Sequence, residues 1–370
     1  MAALAATILA WSGAAAPASA KVYKWGTFVP PNSGVVRIVM TELNKVVKEK
    51  TDGAVEFQFF TGGSLVGARD TLSGIRDGIV DGGFVVAAFV VSSLPNQNII
   101  QDMVSFASDA MQSSAAAAET HLLDCPECRA DYEKMGAISF GGMGSESYIT
   151  QCGKPVNSIE DFKGLKIRVA ISGSGRWVQH LGAVPVGSLP PTDIVTAMQR
   201  GQIDCAIAIP DWLVSFSLAD AVKHIVTMPQ GNAHGNSELV FSRKMWDGLT
   251  HDQKGIIMRA IPMAVSKGTI QTSYVEPKTK IEPMIEKKHI TEWKGDAKLQ
   301  AAWDEFMKGE REACIETAMK RGIDKAVATR IVDVHMKNTQ KWLKIAKEIG
   351  PDEQKFADAL WNDIYSKVKY

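Results

Sequence analysis

Between Lys21 and Ile209 the chain runs twice through the same alternation of short apolar runs and helical periodicity, and the two passes meet at Gly141-Gly142-Met143-Gly144. In the first pass, residues 21–28 (KVYKWGTF) alternate and turn at Pro30-Pro31, which predicts a strand. Val35–Lys50 carries apolar residues at Val36, Val39, Met40, Leu43, Val46 and Val47, the spacing of one helix face. The turn Thr51-Asp52-Gly53 leads to a second strand, Val55–Phe60, a helix over Ala68–Gly78 and a third apolar strand over Val80–Val91. That order predicts a mainly parallel sheet with helices on its faces. The second pass places strands at Ile138–Phe140, Tyr148–Gln151, Lys166–Val169, Val184–Val186 and Asp204–Ile209. Helices fall between them, starting at Ser158-Ile159-Glu160-Asp161 and covering Gly175–Leu181 and Pro191–Gly201. Two such units in series predict two lobes with a cleft, and 370 residues at 45% hydrophobic suffice for two cores.

The last third reads as helices. Thr250–Ile285 is one long pattern, with Pro262 and Pro277 as kinks or breaks. Leu299–Lys320, Asp324–Ile349 and Glu353–Lys369 follow, each amphipathic.

The first twenty residues are alanine-rich and uncharged and end Pro17-Ala18-Ser19-Ala20. An apolar run before a small-x-small site predicts a signal peptide (residues 1–20) cleaved near Ala20, and hence export to the periplasm, although no Lys or Arg precedes the run. Ser12, Gly13 and Pro17 interrupt a run already short for spanning a membrane, so a membrane-inserted protein is not expected. In an oxidising compartment the five cysteines read as disulfide formers with one left over, and their spacing leaves the pairing open. Cys125-Pro126-Glu127-Cys128 has no second pair to make a zinc site. A helical pattern at Ala115–Leu123 replaces the strand that a thioredoxin-like motif needs.

Signals for catalysis are missing. The histidines show neither HExxH nor a paired spacing, no GxSxG elbow occurs, and no Walker A lysine or GxGxxG opens a helix. A net charge of +0 supplies no field to collect nucleic acid. No enzyme is expected. Binding has better support. Lys166–Val169 puts Arg168 inside an apolar strand, where an unpaired guanidinium is costly because it does not discharge. Its planar fork suits a carboxylate, gripped by two parallel hydrogen bonds. Trp25, Trp177 and Trp212 lie near predicted strand ends, where α/β sheets form ligand crevices.

Six segments in order resemble the solute-binding proteins of TRAP transporters (tripartite ATP-independent periplasmic transporters). They are Thr51-Asp52-Gly53 with Gly62–Gly67, Ser73–Asp81, Lys154–Val169, Leu181–Val186, Asp193–Asp204, and Asn236–Phe241 continuing through Trp246 to Leu249–Gln253. The Lys154–Val169 run, KPVNSIEDFKGLKIRV, is the most specific of them. The resemblance implies an α/β, two-lobed periplasmic-binding-protein-like fold with a ligand cleft between lobes, a long bracing helix and a helical C-terminus. It divides the mature chain into lobe I, residues 21–146 plus 238–370, and lobe II, residues 147–237. It implies a non-catalytic receptor that closes on a small organic acid and hands it to a membrane permease. By position, Arg168 is the arginine that pairs with the ligand carboxylate. Trp25, Phe28, Tyr148, Trp177 and Trp212 would shape the pocket, and Asn236 and Glu238 would add polar contacts. Tyr148 stands where sialic-acid-type members carry a second arginine, which points away from a sugar acid. Asp211-Trp212 stands near the Glu-Trp pair of oxoacid-binding members. With Glu238 it would make a site for Na⁺ or Ca²⁺ bridging to the ligand. Two alternatives stay open: an ABC-type binding protein, or an exported redox enzyme using Cys125 and Cys128.

Overall fold

The computed structural model describes residues 21–187, 189–233 and 237–370, and their strands make two sheets. The strands are β1 (Lys21–Gly26), β2 (Val55–Phe60), β3 (Gly82–Val85), β4 (Ala137–Ser139), β5 (Ile149–Cys152) and β6 (Lys166–Arg168). They continue as β7 (Val184–Val186), β8 (Cys205–Ala208), β9 (His224–Val226), β10 (Ser237–Ser242) and β11 (Thr291–Trp293). The first sheet has the order β2-β1-β3-β10-β4, with β1 parallel to β2 and β3 and with β10 antiparallel to both its neighbours. The second has the order β11-β9-β5-β8-β6-β7, parallel at both ends and antiparallel in the middle.

The chain therefore returns to the first sheet at β10, after visiting the second. All six residues of β10 are buried, as a strand between two others with helices above and below requires. Its neighbour β3 begins with two glycines because the backbones come close. A Cβ at Gly83 would lie 2.5 Å from the Gly26 carbonyl oxygen. The strand expected over Val80–Val91 ends at Val85, and Ala87–Phe89 turns as a short 3₁₀ segment.

The long helical pattern forms as one run: His251–Ile270, the π-turns Gln271–Val275 and Pro277–Ile281, then Glu282–Lys287. Pro262 is accommodated inside the first part, and Pro277 opens a widened turn, where its missing N–H removes no regular bond. Ile257, Met258, Ile261 and Val265 sit in the core of the first lobe, while Ile281, Met284 and Ile285 pack into the second. One helix thus joins both cores.

The expected division of residues 238–370 to the first lobe does not hold throughout. Thr291–Trp293 adds a strand to the edge of the second sheet, and the helix Ala297–Lys320 places Leu299 and Phe306 in the second lobe's core. Ser237, placed in the second lobe by the sequence, begins β10 of the first sheet. The helices Lys325–Ile349 and Glu353–Asp363 return to the first lobe, where Trp342, Phe356 and Leu360 are buried.

Two disulfides form. Cys125–Cys128 closes a loop of sequence separation 3, and Cys152–Cys205 joins facing residues of β5 and β8 across a separation of 53. Cys314 is a free, buried thiol. Among the described residues no helix is long and apolar enough to cross a membrane. The expected signal peptide, residues 1–20, lies outside the described residues.

Candidate functional site

Arg168 ends β6, the short strand held between β7 and β8. Its side chain is 1% exposed. Nε donates to the Leu189 carbonyl at 2.8 Å and Nη1 to the Ile207 carbonyl at 3.3 Å. Nη2 is buried and has no hydrogen-bond partner among the described residues, and no carboxylate there forms an ion pair with this guanidinium. The Trp212 ring lies 5.4 Å from the guanidinium carbon, so one flank of the cation is an aromatic face. Burial draws the Arg168 pKa down to about 10, which still leaves it charged at neutral pH. A buried cation costs several kcal/mol unless something completes its coordination.

That free corner opens onto a cavity of about 90 Å³ between the lobes. Engineered cavities of ~150 Å³ take up benzene, so a space of this size holds a short acid as it stands and a single small ring only as the walls give way. Phe28, Phe84 and Phe89 wall it from the first lobe, and Tyr148, Trp212 and Phe216 from the second. Phe28 and Phe84 stack at 5.4 Å between centroids, while Trp212 meets Phe216 edge-on at 5.5 Å and Tyr148 at 6.5 Å. Rings braced against each other in this way lose little freedom when a flat ligand enters.

Three acidic side chains share the lining. Glu238, on β10, accepts a hydrogen bond from the Met143 N–H at 2.9 Å. Glu146 accepts from the Asp211 N–H at 2.9 Å, and Asp211 accepts from the Ser215 hydroxyl at 2.6 Å. Burial pushes Glu146 and Glu238 up to about 8, and it raises Asp211 as well. For Glu146 the nearby charges of Asp211 and Glu276 add to the effect. Both glutamates therefore hold a proton at neutral pH, and the positive charge of Arg168 is not cancelled by them.

The sequence expectations separate into those the fold gathers and those it does not. Arg168, Tyr148, Trp212, Phe28, Asp211 and Glu238 all line the cavity. Asn236 lies outside the described residues. Trp25 and Trp177 are not lining residues. Trp25 is fully buried behind the site, its indole N–H donating to the Glu238 carbonyl at 3.2 Å. Trp177 is in the second core, 5.0 Å from Trp303 and 5.4 Å from Phe306 between ring centroids. Lying near a strand end does not decide which face a side chain takes, and both indoles face inward. For a cation, Asp211 and Glu238 each have one oxygen already engaged, and among the described residues no group of three acidic, histidine or cysteine side chains is placed to hold a metal. Two carboxyl groups fall short of the six to eight oxygens of a Ca²⁺ site, so they do not form a cation cage by themselves.

Glu146, Gln101, Phe84 and Phe89 were not expected in the site. Glu146 sits two residues beyond the glycine-rich crossing Gly141–Gly144, and its position as an acid just past that crossing was the available signal. Phe84 and Phe89 were hidden in an apolar run that reads as an unbroken strand.

The family described as bacterial extracellular solute-binding protein, family 7, matches residues 25–315. A solute-binding protein of Albidiferax ferrireducens is 27% identical over 215 residues, which cover 57% of this chain and 62% of that protein. The match thus spans less than two thirds of this curated relative. Among solved structures, a TRAP solute-binding protein from Rhodoferax ferrireducens T118 in complex with copurified benzoate superposes with a TM-score of 0.75 at 17% identity, over 88% of this chain and 99% of that one. A TRAP periplasmic solute-binding protein from Bordetella bronchiseptica with bound (R)- and (S)-mandelate gives 0.71 at 22% identity, over 87% and 99%. The two-lobed α/β fold is the one these structures share.

Proposed function

Because the chain belongs to family 7 of the bacterial extracellular solute-binding proteins, a family of receptors and not enzymes, we propose that it captures a small ring-bearing monocarboxylate in the periplasm and delivers it to a TRAP membrane permease. The observation that carries this reading is the free Nη2 of a fully buried, charged Arg168 at the wall of an aromatic cavity. One carboxylate completes that guanidinium by charge-assisted hydrogen bonds, the stronger kind. The rings of both lobes then cover the apolar part of the ligand, at roughly 25 cal/mol per Å² of apolar surface removed from water. The solved relatives holding benzoate and mandelate carry ligands of this class, but at such low identity the lining is the better guide.

Closure would be a hinge motion about Gly144–Ser147 and about Ser237, where the chain enters β10 of the first sheet. Family membership sets aside the ABC-type alternative. The redox alternative has little to stand on: Cys125 and Cys128 are both fully buried, disulfide-bonded, and packed with Ile99, Ile100 and Ile331 in a core away from the cavity.

The test is a thermal-shift screen of the mature chain against ring-bearing and linear acids, since a ligand that binds only the folded state raises Tm. Ring-bearing monocarboxylates are expected to give the largest shifts. Arg168→Ala should stay folded by circular dichroism and lose the shift. An unchanged affinity for the best acid in that variant would remove Arg168 from the role.

A further inference from the structure

Two more polar atoms in the cavity wall are buried without partners: Oε1 of Gln101 and Oγ of Ser33. Both residues are almost entirely enclosed, at 1% and 5% exposure. A buried oxygen left unpaired forfeits its hydration with nothing in exchange, so each requires an explanation. Neighbours on the same helix, Gln97–Asp102, show what the fold does elsewhere. The Asn98 amide donates to the Ala87 and Leu94 carbonyls, both at 2.9 Å, and Gln97 Oε1 meets His121 Nδ1 at 2.8 Å. The helix end is also fixed in place. Asp102 accepts from the Ser172 N–H at 3.2 Å and pairs with Arg321 at 2.6 Å. Gln101 is thus held on an anchored helix with its amide oxygen unpaired beside the cavity.

We infer that the ligand carries a hydrogen-bond donor besides its carboxylate, a hydroxyl or N–H on the ring, and that Gln101 and Ser33 read it. This rests on the proposed capture of a ring-bearing monocarboxylate. The polar groups of the wall are unevenly divided. Arg168 is the one charged donor among the lining residues, and it is matched by the carboxylate. Among the buried atoms left without a partner beside it, the Gln101 amide oxygen only accepts, while the Ser33 hydroxyl accepts as well as donates. An unsubstituted ring would leave these oxygens desolvated, whereas a ring hydroxyl or amine would satisfy them. Sites built to hydrogen-bond such a group discriminate strongly against the analogue that lacks it.

Isothermal titration of the mature chain with benzoate, 3-hydroxybenzoate, 4-hydroxybenzoate, 3-aminobenzoate and 3-methoxybenzoate tests this. At least one hydroxy or amino acid should bind about tenfold tighter than benzoate, as one hydrogen bond supplies. The methoxy acid, which accepts but does not donate, offers the Gln101 oxygen nothing and should bind less tightly than the best donor acid. In Gln101→Leu the ratio of the benzoate Kd to that of the best donor acid should fall to about one, and Ser33→Ala should lower it in the same direction. A ratio near one in the unaltered protein overturns the inference while leaving ring-acid capture standing. So does a ratio preserved in both variants, which would mean that these residues grip the carboxylate or nothing at all. If none of the five acids binds, ring-acid capture itself fails, and the inference with it.

Discussion

At the scale of single residues, the cavity sets one fixed charge against groups that neutralise themselves. Glu146 and Glu238 are held protonated by burial, their pKa moved from 4.5 to about 8. Between those two values the folded chain binds more protons than the unfolded one, so stability from these groups is fully present below about pH 4.5 and is lost as pH rises to about 8. Ligand binding follows the same sign. Below about 8 a bound carboxylate faces neutral acids, and above it faces new negative charge. The Kd for the best acid is therefore expected to stay flat from pH 6 to 7.5 and to rise toward pH 9, as titration calorimetry at fixed ionic strength would show. Glu238→Gln, which keeps a neutral side chain at that position, should flatten the rise. Arg168 was legible in the sequence at this scale because it stands between the apolar Ile167 and Val169 at the end of the most specific motif segment, Lys154–Val169. Gln101 and Ser33 were not, since nothing in a sequence marks which amide or hydroxyl will lack a partner.

At the scale of elements, the crossing Gly141–Gly144 shows why its glycines are there. A Cβ at Gly144 would lie 1.8 Å from the Ala110 carbonyl oxygen, a distance that only backbone movement relieves. Gly144→Ala is expected to cost about 1–3 kcal/mol, read as a lower urea midpoint, because it forces this segment off the helix Ala110–Glu119. An unchanged midpoint would show that the crossing moves freely there. Elements of one strong period were readable in advance: Val55–Phe60 forms as expected, as does the long helix. The segments His224–Val226 and Thr291–Trp293 were not readable as strands. Three residues are too few to display a period of two, and both strands owe their existence to pairing with each other and, for the former, with β5.

For the whole molecule, two disulfides make unequal contributions. Cys152–Cys205 closes a loop of separation 53 within the second sheet, and Cys125–Cys128 one of 3. Constraint of the unfolded chain grows with loop length, to about 4 kcal/mol for the first and about 2 for the second. Replacing Cys152 and Cys205 by alanine should therefore lower stability in denaturant clearly more than replacing Cys125 and Cys128. Equal losses would contradict that ranking. The lobes themselves could be read from the repeated alternation, and the family resemblance placed residues 238 onward, and so nearly all of β10, in the first lobe. The passage of β11 and of the helix Ala297–Lys320 to the second was not readable. The return of β10 to the first sheet and the departure of β11 to the second are long-range pairings that no local pattern encodes.

The helix from His251 to Lys287 carries a mechanical consequence. A rod clamped by side chains in both cores, with Ile261 at one end and Ile285 at the other, does not pivot; it flexes. Of its two widened turns, Gln271–Val275 falls between those clamps and Pro277–Ile281 ends on the second of them, at the buried Ile281. In the closure proposed above, the travel of one lobe toward the other would be limited by the stiffness of this shared helix. An acid too bulky for the lobes to meet would hold that helix short of its resting curvature, and its affinity would fall by the elastic energy left stored.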